Sequence, residues 1–153
     1  MSYIKVRSAS TADAESLLKI YSYYVKNTAI SFEYDVPDID EFKGRIEHIL
    51  EKYPYLVAEQ DGTIIGYAYA SQFHPRAAYQ WCAEVSIYVD VHSRKSGVGR
   101  VLYEELEKRL MTQGVLNLYA CIAYTDKDLG YLEAFLWVII AMISHTKELN
   151  STL

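Results

Sequence analysis

Apolar and polar positions along this chain follow two different periods, and the switches between them divide it into elements. Tyr3 to Arg7 alternates with period two and predicts a short strand. Leu17, Leu18, Ile20, Tyr21, Tyr24 and Val25 then recur at helical spacing behind Ser10-Thr11-Ala12-Asp13, where Ser10 or Thr11 supplies the N-cap. The period is lost from Asn27 to Asp35, which predicts a loop. Pro37 and Asp38 open a second helix, with Phe42, Ile46, Ile49 and Leu50 on one face.

Strand periodicity returns at Tyr55–Glu59 and Thr63–Ala70, two runs joined by the turn signal Gln60-Asp61-Gly62. A third strand is predicted from about Trp81 to Val89. The polar stretch Asp90 to Gly99 leads into a helix whose apolar stripe is Val98, Val101, Leu102, Leu106 and Leu110. Glu104 with Lys108 and Glu105 with Arg109 have the i,i+4 order that supports a helix, and Gly114 ends it. Val115 to Tyr124 predicts another strand. The order β-α-α-β-β-β-α-β is that of an α/β chain of the α+β layer type, with a mixed central sheet flanked by helices. No repeat, low-complexity tract or linker interrupts it, so residues 1–153 are expected to form a single domain.

Composition narrows the function classes. Of the 153 residues 51% are hydrophobic and 23% charged, a globular balance, and the formal net charge of −5 speaks against nucleic acid as partner. The first residues lack the apolar stretch of a signal peptide, and the apolar run Leu129–Ser144 is too short to span a bilayer. A cytoplasmic protein with no membrane partner is therefore expected. Cys82 and Cys121 each sit in an apolar strand-like run, read as buried free thiols, and neither shows metal-ligand spacing. Tyrosine is abundant, 15 residues against four Phe and two Trp. Its ring suits a half-buried sheet and its hydroxyl suits a polar ligand, so the count alone decides nothing.

The informative stretch runs from Glu84 to Arg100. A buried strand ends, a turn with Gly97 and Gly99 follows, and an amphipathic helix begins. The first turn of a helix leaves N–H groups unpaired and carries partial positive charge. Glycines admit a bulky anion there, and Arg94, Lys95 and Arg100 add full charges, so the assembly suits a pyrophosphate. An ordinary strand-to-helix turn with incidental glycines is the alternative. Neither the Walker pattern GxxxxGK[ST] nor the Rossmann pattern GxGxxG is present.

The remaining pattern is Arg94-Lys95-Ser96-Gly97-Val98-Gly99 after Val85-Ser86-Ile87-Tyr88-Val89, which resembles the acyl-CoA signature of the GNAT acetyltransferases. Upstream, Asn27-Thr28-Ala29-Ile30-Ser31-Phe32-Glu33, then Gly66-Tyr67-Ala68, then Arg76-Ala77-Ala78-Tyr79 followed by Glu84, resemble the phosphinothricin N-acetyltransferases and their relatives. The likeness extends over roughly Ile4 to Tyr124.

The resemblance implies a GNAT fold and acetyl-CoA as co-substrate, with no metal. It implies that Arg94, Lys95, Ser96, Gly97, Val98, Gly99 and Arg100 hold the CoA pyrophosphate, and that Ile87, Tyr88 and Val89 offer main-chain groups to the pantetheine arm. Glu84 takes the place of the general base. A partly desolvated carboxylate with a raised pKa would suit that task, while a solvent-facing residue near the strand's start is the plainer reading. Phe32, Glu33, Arg76 and Tyr79 would border a small amine acceptor of the phosphinothricin or methionine sulfoximine type. Arg76 reads equally as a carboxylate clamp or an exposed loop residue. His74 and His92 read as solvated.

After about Asp128 the likeness ends. The asparagine that contacts the cofactor and the tyrosine that protonates the leaving thiolate in relatives have no counterpart in their motifs, as in an altered or truncated end. Tyr124 and Tyr131 are the substitutes available. The run from Leu129 to Ser144 reads as a replacement core helix or strand, or as a homodimer contact. An N-acetyltransferase is the expectation. A non-catalytic acyl-CoA-binding or interaction module, with an incomplete acceptor site, is the alternative.

Overall fold

The structure is a computed structural model describing residues 3–28, 30–31, 33–124 and 137–144, the last eight and 122–124 by backbone alone. The described residues form strand β1 (Lys5–Ser8), helices α1 (Ala14–Asn27) and α2 (Ile39–Leu50), and strands β2 (Tyr55–Gln60), β3 (Thr63–Gln72) and β4 (Cys82–Val89). Helix α3 (Val98–Thr112) and strands β5 (Asn117–Tyr124) and β6 (Trp137–Ser144) follow. The sheet has the order β1-β2-β3-β4-β5-β6. Only β4 and β5 pair in parallel; every other neighbouring pair is antiparallel. The mixed sheet flanked by helices is the architecture the periodicity predicts. Within the apolar run after Asp128, Trp137–Ser144 forms the strand β6.

Alternation along the strands gives each face its own core. On one face α1 and α2 cover Tyr55, Val57 and Tyr67 with Leu17, Ile20, Tyr21, Tyr24, Phe42 and Ile46. On the other, Val98, Leu102, Leu106 and Leu110 of α3 cover Leu56, Ala58, Ala68, Ala83 and Val85. The tyrosine surplus is explained here. Tyr55, Tyr67 and Tyr69 stack across β2 and β3, Tyr88 stacks on Tyr67 at 5.2 Å, and Tyr21 and Tyr24 meet Tyr88 edge-on at 5.3 Å each. Such ring pairs add to the gain from burial alone. Burial pushes the Tyr55, Tyr67 and Tyr88 hydroxyls well above the usual phenol range, so all three stay neutral.

Several local expectations need correction. Leu50, assigned to the buried face of α2, is exposed because it occupies the helix's last position. Tyr3 and Trp81 lie outside the strands and are exposed. Glu104 bonds Arg100 one turn earlier, at 2.7 Å, instead of Lys108, whereas the Glu105–Arg109 pair forms at 2.8 Å. Cys82 is buried, but Cys121 is exposed, because β4 and β5 part before reaching it. At the start of α1, the carboxylate of Asp13 turns back to accept the Ser10 N–H at 2.8 Å. The same carboxylate holds Arg7 at 2.9 and 2.7 Å, and Arg7 also bonds Glu59 of β2. That partly buried bridge from β1 to α1 and β2 was invisible to periodicity.

The hairpin turn uses left-handed backbone at Asp61 (φ 51°) and Gly62 (φ 78°), as the Asp-Gly signal predicts. Asp38 caps α2 by accepting the Glu41 N–H at 2.8 Å.

Candidate active site

The strand that carries the expected chemistry is paired fully on one side only. All along its length β4 pairs with β3, from Cys82's neighbour Ala83 opposite Gln72 to Val89 opposite Gly66. With β5 it pairs only at Cys82, Ala83 and Glu84, opposite Asn117, Leu118 and Tyr119. Beyond Glu84 the two strands diverge, while β5 stays paired to β6. Main-chain groups alternate sides along a strand, and the Asp90 N–H is bonded to Ile65 on the β3 side. The main-chain groups of Ile87, with the Val85 carbonyl and the Val89 N–H, therefore face the opening, and those of Ser86 and Tyr88 face β3. Tyr88 is thus displaced from the expected main-chain role; its ring instead belongs to the tyrosine stack.

The opening is a cleft with a volume of about 300 Å³. Ile30, Val85, Ser86, Ile87, Tyr88, Tyr103, Ala120 and Cys121 line it. Tyr103 was not singled out by sequence and Cys121 was read only as a buried thiol, since each looks like an ordinary helix or strand residue until the splay exposes it. Burial and the neighbouring Glu107 push the Tyr103 hydroxyl up to about 12, and burial raises the Cys121 thiol with help from Glu84. Both remain protonated at neutral pH.

At the far end of β4 the chain turns into α3. The Tyr24 hydroxyl donates to the Val89 carbonyl, which ties α1 to the last residue of the open strand. Asp90 accepts the His92 N–H at 2.9 Å, and Lys95 (φ 62°) and Gly97 (φ 84°) both take left-handed backbone. Gly97 is the N-cap of α3 and brings no side-chain cap. The Val101 N–H bonds the Gly97 carbonyl, so the N–H groups of Val98, Gly99 and Arg100 have no acceptor within the helix. A Cβ on Gly97 would meet nothing within 4 Å, and one on Gly99 only Val89 at 3.8 Å. Inside the chain there is space beside this turn.

The predicted cations divide. The Arg94 guanidinium lies over the rings of Tyr23 and Tyr24, 5.7 and 5.5 Å from their centroids. Arg100 is exposed and held by Glu104. Lys95 and Ser96 are exposed in the turn, where the Ser96 hydroxyl donates to the Ser93 carbonyl.

Glu84 is half-buried, on the face of the sheet shared with Ser86 and Tyr88, at the vertex where β4 and β5 part. It acts electrostatically on both Tyr69 and Cys121. Glu33 stands over the tyrosine stack, accepting the Tyr21 hydroxyl at 2.9 Å and Arg45 at 2.8 Å. Tyr79 closes a short turn, Ala77–Tyr79, whose N-cap is the exposed Arg76. Phe32 lies outside the described residues, as does Tyr131, and the Tyr124 side chain does too. Among the described residues no group of three or more His, Cys, Asp and Glu could hold a metal, and no helix is long and apolar enough to cross a membrane.

Comparison with known proteins places this geometry. Residues 6–136 match the family model described as an acetyltransferase (GNAT) domain. The phosphinothricin N-acetyltransferase of Streptomyces viridochromogenes is 31% identical over 78% of this chain and 65% of its own length. That of Alcaligenes faecalis is 40% identical over 63% of this chain and 50% of its own. The chain thus spans half to two thirds of the length of these relatives. Among solved structures, a GNAT superfamily phosphinothricin acetyltransferase from Sinorhizobium meliloti in complex with AcCoA has a TM-score of 0.75 and 37% identity, over 78% of this chain and 65% of that one.

Proposed function

Because the chain belongs to the GNAT acetyltransferases, we propose that it transfers the acetyl group of acetyl-CoA to the amine of a small acceptor, using the cleft between β4 and β5. The observation that carries this reading is the one-sided pairing of β4 beyond Glu84, which among the described residues leaves the edge at Ile87 without a strand partner beside a helix N-terminus.

Fit to acetyl-CoA is supported at both ends of the cleft. The uncapped N–H groups of Val98, Gly99 and Arg100 suit a diphosphate, and Lys95 and Arg100 lie beside them as surface charges. Arg94 is exposed as well, with its guanidinium over the Tyr23 and Tyr24 rings of α1. The outward main-chain groups of Val85 and Ile87 suit the amide groups of a pantetheine arm, as an added strand would. Acetyl-CoA supplies the reactive thioester.

Glu84, at the vertex, accepts the proton of the incoming ammonium directly or through water, leaving a nucleophilic amine. The N–H of Ile87 points into the opening and stabilises negative charge developing on the acyl oxygen, whereas that of Val89 lies at the diphosphate end. Glu33, Arg76 and Tyr79 border a small amine acceptor, the class that the sequence resemblance implies. CoA leaves as the thiol, taking up the second proton that the amine loses on acylation; the Tyr103 hydroxyl in the cleft wall donates its own proton to Glu107 at 3.3 Å.

An assay of CoA release over a panel of amines tests the reading. Wild-type protein releases CoA, and Glu84→Gln lowers kcat/KM by about 100-fold or more while CoA affinity is kept. Full activity in Glu84→Gln removes Glu84 as the base. Calorimetric CoA binding without turnover on any amine supports instead a non-catalytic acyl-CoA-binding module.

A further inference from the structure

We propose that the acceptor is an amine bearing an aromatic ring, seated on a cluster of rings that straddles the first residues of β4; this rests on the reading of Glu84 as the group that receives the ammonium proton. Register places Tyr119 of β5 opposite Glu84, and side chains opposite one another share a face. The neighbours Leu118 and Ala120 go to the α3 core on the other face. Phe73, one residue past the end of β3, stacks on Tyr119 with centroids 4.0 Å apart and planes 11° off parallel. Since β3 and β5 flank β4, this pair bridges the strand beside Glu84. Tyr79 meets Phe73 edge-on at 5.7 Å, and His74 lies 4.4 Å from Phe73 and 5.0 Å from Tyr79.

These four rings differ from the tyrosine stack of the core in being accessible. Phe73, Tyr79 and Tyr119 are half-exposed and His74 is exposed, so the cluster presents π surface to solvent next to a carboxylate. That combination favours a protonated amine through charge and a flat ring through stacking. A phosphinate group is poorly served there. Among the described residues Arg76, in the same loop, offers a cation for a carboxylate, and Arg45 is already held by Glu33 and Glu41. An arylalkylamine or an aromatic amino acid fits this surface better than a second anionic group.

Calorimetric titration of the CoA-saturated protein tests the proposal, with 2-phenylethylamine, its saturated analogue 2-cyclohexylethylamine, L-phenylalanine and phosphinothricin as probes. The aromatic amine binds about fivefold or more tightly than the saturated one. Tyr119→Leu and Phe73→Leu erase that difference with CoA affinity unchanged, whereas Tyr119→Phe keeps it. Equal affinity for the two amines, an undiminished difference in Tyr119→Leu, or phosphinothricin binding at least as tightly would overturn the proposal. Ring preference is read from binding alone, on free protein if CoA does not bind. The acetyl-transfer reading fails separately, by absent CoA binding or absent CoA release with every amine.

Discussion

At the scale of single residues, the two glycines of the turn have different duties. Gly97 adopts φ 84°, where a side chain costs about 1–2 kcal/mol. Gly99 is not forced by its backbone, and a Cβ there would touch Val89 only at ordinary contact distance. Gly97→Ala is therefore expected to lower stability by about 1 kcal/mol and to weaken CoA binding about tenfold by distorting the donor turn. Gly99→Ala is expected to leave the melting temperature nearly unchanged and to weaken CoA alone. Thermal melts paired with CoA titrations of both variants separate the roles. Equal loss of stability in the two variants would contradict the assignment.

At the scale of elements, much of the chain was legible because its periods are clean. Helix α3 and the hairpin formed where Val98-Leu102-Leu106-Leu110 and Asp61-Gly62 put them. The Arg94–Arg100 pattern located the turn from one strand into one helix, a local feature written in consecutive residues. The cleft was legible only through family likeness, since no periodicity reveals where β4 and β5 stop pairing. For the same reason Tyr103, Cys121 and Tyr119 looked like ordinary helix and strand positions. Gly66 shows a likeness acquiring a physical cause. A Cβ there would lie 3.0 Å from Val98, 3.1 Å from the Tyr88 carbonyl and 3.3 Å from Leu102. Only a bare backbone lets the first turn of α3 press so closely on β3. Gly66→Ala is expected to cost about 1–3 kcal/mol and to reduce CoA affinity by displacing the N-terminus of α3. Denaturant midpoints and CoA titration check both. An unchanged midpoint would show that α3 is not seated by this glycine.

At the scale of the whole molecule, the Arg7–Asp13–Glu59 bridge joins β1, α1 and β2 far from the cleft. Hydrogen bonding to Arg7 holds the Asp13 carboxyl below the usual carboxylate range, against the opposing effect of burial. A carboxyl depressed in the folded state stabilises above its unfolded pKa of about 3.9 and loses that contribution as pH falls through its folded pKa. Asp13→Asn is expected to cost about 1–2 kcal/mol at neutral pH, since Arg7 is partly exposed and the pair partly screened. The gap from wild type should narrow as the pH drops below about 4. Denaturation midpoints across pH measure it, and a gap independent of pH would exclude the bridge as its source. The fold places this bridge and both cores so that one strand, β4, is held firmly by β3 yet released by β5. The decisive measurement is a crystal structure of the protein with acetyl-CoA. The diphosphate should lie within hydrogen-bonding distance of the Val98, Gly99 and Arg100 N–H groups, with the pantetheine arm along Val85 and Ile87. Phosphorus bound elsewhere, with the edge of β4 left bare, would contradict the account.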